Sequence, residues 1–252
     1  MQQGKLVILV MVALITACHA KQKSPPTQVV YRFDDHRYLE LTGYHCEGGL
    51  RYIDTERNIQ HQIYDVSDGY RIFTKTFIHP SERYIAITSY EGGGFAISKD
   101  YGKTWDGASY SPGGGAIKYG DDRPQREEIE SFTVVNDQGF MLTKKGDLYL
   151  SSKPFDDPRL EPGGSGIDYT YTYRGDTSKH HLEPINSSVG SLWGKNYVSW
   201  ISIQLQDPWQ TFAYQTNFQN IPNKVPEVKN YKGWDHMRCN PDLGLEASEQ
   251  QK

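Results

Sequence analysis

Ser98-Lys99-Asp100-Tyr101-Gly102-Lys103-Thr104-Trp105 fills every defined position of the pattern Ser-x-Asp-x-Gly-x-Thr-Trp. Each position has a physical task. Ser98 closes a strand-forming run, and Asp100 offers a carboxylate to backbone N–H groups across a turn. Gly102 permits a positive φ, and Trp105 carries a ring large enough to fold back beneath the loop. The stretch predicts a tight hairpin, and the surrounding chain agrees. Short runs rich in Tyr, Val, Ile, Thr and Phe alternate with turn residues: Val29–Phe33, Tyr38–Thr42, Leu50–Asp54, Tyr70–Ile78, Tyr84–Tyr90, Phe95–Ser98, Phe132–Val135, Phe140–Thr143, Leu148–Ser151, Tyr169–Tyr173 and Tyr197–Leu205. That is the signature of antiparallel sheets. No 3.6-residue periodicity is sustained beyond residue 18, so few helices are expected.

The Ser98–Trp105 pattern is similar to the Asp box, a structural hairpin turn of sialidase-type β-propellers that lies away from their catalytic centres. The expected fold is therefore all-β, antiparallel and β-propeller-like. Degenerate echoes follow at Leu150–Asp157 and Ile203–Phe212. Each keeps a strand running into an acidic turn with an aromatic, but loses the glycine. At this spacing roughly four or five blades would fit the chain. The plainest hairpin is Phe140–Leu150, with Gly146 in its turn.

The N-terminus reads differently. The apolar run Leu6–Ile15 is about ten residues, against the roughly 20 that a spanning helix needs, and it closes in Leu14-Ile15-Thr16-Ala17-Cys18. This resembles a bacterial lipobox, which implies a signal over residues 1–17, lipid on Cys18, and a periplasm-facing protein. His19, rather than Asp, after the cysteine favours the outer membrane. An ordinary secretory signal cut near Ala20 is the alternative. Residues 18–28 then form a polar, Pro-containing tether, 29–240 the all-β domain, and 241–252 a polar tail.

Charge excludes one class of partner. The chain has 27 Lys and Arg against 31 Asp and Glu; residues 1–17 contain a single charge, Lys5, so the remainder carries −5. A nucleic-acid ligand is not expected. With Cys18 assigned to lipid, Cys46 and Cys239 remain in a compartment where disulfides form. A bond between them would close a loop of about 190 residues, worth roughly 5 kcal/mol by chain entropy. Two separate thiols, or a zinc site completed by the adjacent His45 and His236, are the alternatives.

Catalytic motifs are incomplete. Gly163-Gly164-Ser165-Gly166-Ile167 fails the Gly-x-Ser-x-Gly elbow at its last position. Arg32, Arg37, Arg51, Arg71 and Arg83 could supply a sialidase-like arginine cluster, but they fall within strand-like alternation. Asp34-Asp35-His36 and His180-His181-x-Glu183 bring ligand types together without zincin or calcium-loop spacing. The clusters Gly92–Gly94, Gly113–Gly115 and Gly163–Gly164 lack the Lys-Ser/Thr of a phosphate loop. No enzymatic activity, cofactor or metal is expected.

The lipobox, the segment Val29–Leu41 leading into Gly43-Tyr44-His45-Cys46-Glu47-Gly48, and Ala96–Trp105 together resemble immunity lipoproteins of type VI secretion lipase effectors. That resemblance implies a periplasmic protein that binds and neutralises a phospholipase toxin and does no chemistry itself. A surface lipoprotein binding glycan through aromatic-lined loops is the alternative, since 18 tyrosines suit both protein interfaces and sugar stacking. Two segments are candidate interfaces: the loop from Tyr110 to Glu130, where Asp121, Asp122, Glu127 and Glu128 would meet a basic surface on the toxin, and the turn around Asp176–Glu183.

Overall fold

Two sheets face one another across a core of stacked aromatic rings. The computed structural model describes residues 24–110, 123–152, 159, 162–173, 176–184, 193–200 and 222–250. The first sheet is an up-and-down meander of β1 (Thr27–Arg32), β2 (Arg37–Tyr44), β3 (Glu47–Asp54) and β4 (Ile59–Tyr64), with the short β5 (Tyr70–Arg71) pairing beside β3. β2 alternates strictly between buried and half-buried positions, which places Leu39 and Leu41 inward. A two-residue turn joins β2 to β3, with His45 and Cys46 both at positive φ (52° and 64°) and Tyr44 opposite Glu47, the geometry whose twist suits a tight hairpin.

The second sheet contains β6 (Thr76–Ile78), β7 (Ile85–Thr88), β8 (Phe95–Ser98), β9 (Asp106–Tyr110), β10 (Ile129–Val135), β11 (Gln138–Thr143), β12 (Leu148–Ser151) and β15 (Asn196–Ser199). Their spatial order is β6-β10-β11-β12-β15-β9-β8-β7. β13 (Ile167–Tyr173) and β14 (Asp176–Leu182) pair only with each other. The remaining element is one 3-10 turn, Val66–Asp68.

The all-β expectation holds, and two details differ from it. β6 with β10, and β9 with β15, pair in parallel, so the second sheet is mixed. Among the described residues, eight strands share one continuous hydrogen-bonded order rather than separate four-stranded blades. Both echoes of the Asp box run largely outside the described residues.

Rings run through the core without interruption. Tyr31 lies 4.5 Å from Phe77, Phe77 5.6 Å from Phe132, Phe132 5.1 Å from Phe95, and Phe95 stacks on Tyr197 at 3.7 Å. The series leads from β1 through β6, β10 and β8 to β15. Burying side chains of this size contributes about 1.5–3 kcal/mol each.

One irregular segment joins the sheet edges. Trp234 N–H donates to the Arg32 carbonyl and Arg238 N–H to Val30, both 2.8 Å, while the Asp235 carbonyl accepts from Phe77 N–H at 2.8 Å. Residues 231–240 thus form a strap between β1 and β6 that buries the side chain of its own Met237 in the core. Asn240 and Gln28 exchange two further bonds. Cys239 is disulfide-bonded to Cys46, with 5.9 Å between the Cα atoms. The bonded sulfurs leave no thiolates for a zinc site.

Candidate interaction surface

The Asp-box hairpin uses its own polar groups. Asp100 accepts from Thr104 N–H (2.9 Å), the Thr104 hydroxyl (2.7 Å) and the Ser98 hydroxyl (2.9 Å), and Ser98 Oγ accepts from Gly102 N–H (2.8 Å). Burial acts to raise the Asp100 pKa, but the bonds from Thr104 and Ser98 outweigh it and hold the carboxyl below its usual range. Trp105 Nε1 donates to the Gly102 carbonyl, and its ring packs against Tyr52 and His61 of the first sheet at 5.7 and 6.1 Å. A Cβ on Gly102, where φ is 90°, would sit 2.2 Å from the Tyr52 ring. The box pins one sheet to the other.

Beside it lies a charged clamp. Arg37, only 2% exposed, donates to Asp34 and to the Ser81 carbonyl, each at 2.7 Å. Asp54, whose side chain has no exposed area, accepts from the Glu56 and Arg57 N–H groups, from Arg57 Nη1 at 2.9 Å, and pairs with His36 at 3.0 Å. Arg57 continues to Glu82 and lies 4.7 Å over the Tyr101 ring of the box. Ligand atoms of Asp34, Asp35 and His36 come within 4.8 Å of one another. Both Asp34 oxygens, however, are engaged by Arg37 and by backbone N–H groups, which makes the cluster a fold contact. At the failed elbow, the Ser165 hydroxyl donates to the Gly166 carbonyl.

A more open arrangement lies where β5, the turn after Tyr90 and the end of the loop into β10 converge. The Arg71 and Arg126 guanidinium carbons stand 4.2 and 3.8 Å from the Tyr90 ring centroid. Tyr90 N–H donates to the Arg71 carbonyl, and the exposed Arg123 reaches across Gly93, where a Cβ would meet its Nη1 at 2.4 Å. Glu128 is held inward by Lys145 at 2.6 Å and by Gln125 N–H, whereas Glu127, 73% exposed, pairs only with its neighbour Arg126 at 2.7 Å among its resolved ion pairs. Asp121, Asp122 and Cys18 lie outside the described residues. Sequence reading chose the acids of this loop and missed its arginines, which become neighbours only when β5 is brought beside the turn.

Residues 23–133 match the family described as T6SS Tli3 immunity protein. Over that span, somewhat less than half of its length, the chain is similar to that family. No curated protein matches the sequence. The Tli3 segment takes in β1 to β9, the Asp box, the charged clamp and the Arg–Tyr cluster, and it ends within β10. The strap and Cys239 fall beyond it.

Proposed function

We propose that this immunity protein neutralises a phospholipase effector in the periplasm, held by lipid on Cys18 to the membrane the toxin attacks. The Tli3 family match carries the reading. The lipobox-like Leu14–Cys18 supports the anchor, with the outer membrane favoured by His19, and the Cys46–Cys239 bond suits an oxidising compartment. Inhibition proceeds by a tight one-to-one complex that obstructs the lipase active site or holds it inactive. Such a complex buries on the order of 1,200–2,000 Å² in total, with a few aromatic and Arg anchors carrying most of the energy.

The test is to express a neighbouring lipase gene product in the periplasm of a sensitive strain, with and without this protein. Survival only when both are present, with a complex from the purified components, is expected. Equal killing and no complex would overturn the reading and bring forward binding of glycan through the loops.

A further inference from the structure

We propose that the cluster of Arg71, Tyr90, Arg123 and Arg126 is the surface that receives an acidic segment of the effector. This rests on the immunity reading and extends it by naming the surface and the sign of its partner. Three separate stretches of chain set Arg71 and Arg126 on the Tyr90 ring, with Arg123 lying against Gly93 of the same turn, and all three lie within residues 23–133. The Tyr90 ring orders two guanidinium groups before any partner arrives, so less side-chain freedom remains to be lost on binding. Arg126 keeps its Nε buried without a hydrogen-bond partner, while Arg71 is 52% exposed and meets Glu47 only at 3.8 Å. An exposed pair at that distance is weak and readily exchanged.

Arginine forks match carboxylates in a bidentate way, and Arg and Tyr are the residues most enriched at the energetic centres of protein interfaces. The acids nearby, Glu47 and Glu127, are both more than half exposed and sit as a rim around the arginines. A carboxylate-bearing segment therefore fits the centre, with its own neighbouring cations facing the rim.

Binding kinetics between the full-length protein and the purified effector, read at low and physiological salt, test this. Arg71→Glu with Arg123→Glu is expected to lower affinity by about tenfold or more, chiefly through slower association, and to reduce its salt dependence. Lys103→Glu, on the Asp-box turn, is charge-matched to Arg123→Glu alone and should bind as wild type. Arg123→Glu alone gives the same readout should the double variant melt low. If wild type binds and a folded Arg123→Glu protein associates as fast, the surface assignment is overturned while the immunity reading stands. If wild type fails to bind the effector, the immunity reading falls and the assignment with it. Loss of binding to anionic phospholipid vesicles, with effector binding intact, would also overturn the assignment and give the patch to the membrane.

Discussion

The phenol of Tyr31 meets that of Tyr231 at 2.7 Å across 200 positions of sequence. Tyr31 donates to the Phe77 carbonyl at 2.9 Å, so Tyr231 supplies the proton between the two hydroxyls. One buried oxygen on β1 thereby gathers the first sheet, the second sheet and the strap. Tyr231→Phe should cost about 1 kcal/mol in denaturant unfolding. Breaking Cys46–Cys239 should cost far more, roughly 5 kcal/mol by chain entropy. Thermal melts with and without reductant check this, and coincident melts would show that the bond contributes nothing.

Trp105→Ala is expected to destabilise the protein by about 3 kcal/mol, the lower end for losing an aromatic, because the ring is only part-buried against Tyr52 and His61. Effector affinity of the folded fraction should not change. A variant with normal melting and lost binding would instead put the box in the interface.

Asp54 should make stability fall in acid. Burial raises its pKa, but the Arg57 N–H, His36 and the Arg57 side chain overcome that and hold the carboxyl below its usual range. Its contribution is therefore complete above the unfolded value of about 3.9 and is lost as pH drops through the lower folded value. Asp54→Asn should flatten stability against pH in that window. Asp54→Ala removes the bonds from two backbone N–H groups and from Arg57 and His36, which keep Glu82 and Glu56 as other partners, and should cost about 1–3 kcal/mol.

Reversing charge in the loop before β10 discriminates between two signs for the partner. A basic toxin surface would make Glu127→Lys slow to associate; the arginine-centred surface makes it equal or faster. Glu128→Lys is a poorer probe, since it also breaks the exposed Lys145 contact. Stopped-flow association rates at two salt concentrations separate the cases.

Cys18→Ala should abolish fatty-acid labelling in cells and release the protein into the soluble periplasm. Retained label on the variant would refute lipidation at this residue.

Much of the sheet structure was legible. Phe95–Ser98 and Leu148–Ser151 were read with their observed bounds, because fully buried strands are short apolar runs bounded by turns. β4, β9 and β14 were missed; they read IQHQIY, DGASY and DTSKHHL. Their backbone bonds hold them in place while many side chains face water, so hydrophobic pattern carries little signal. Trp105 was expected to pack under its own loop, and its contact with Tyr52 could not be read without the fold. The strap was invisible for a similar reason: it has no strand periodicity, and its order comes from two edges remote in sequence. The Arg71–Tyr90–Arg126 cluster has no local motif at all.

The strap also sets a schedule. The chain is made from its N-terminus, so β1 emerges about 200 residues before the partner that covers it. Until residues 231–240 arrive, an open strand edge and the rings of Tyr31 and Phe77 stand exposed, a state that invites pairing with other chains. A chaperone that shields this edge would thus raise the yield of folded protein. A newly made molecule is complete only after the last segment has docked and Cys239 has been oxidised onto Cys46.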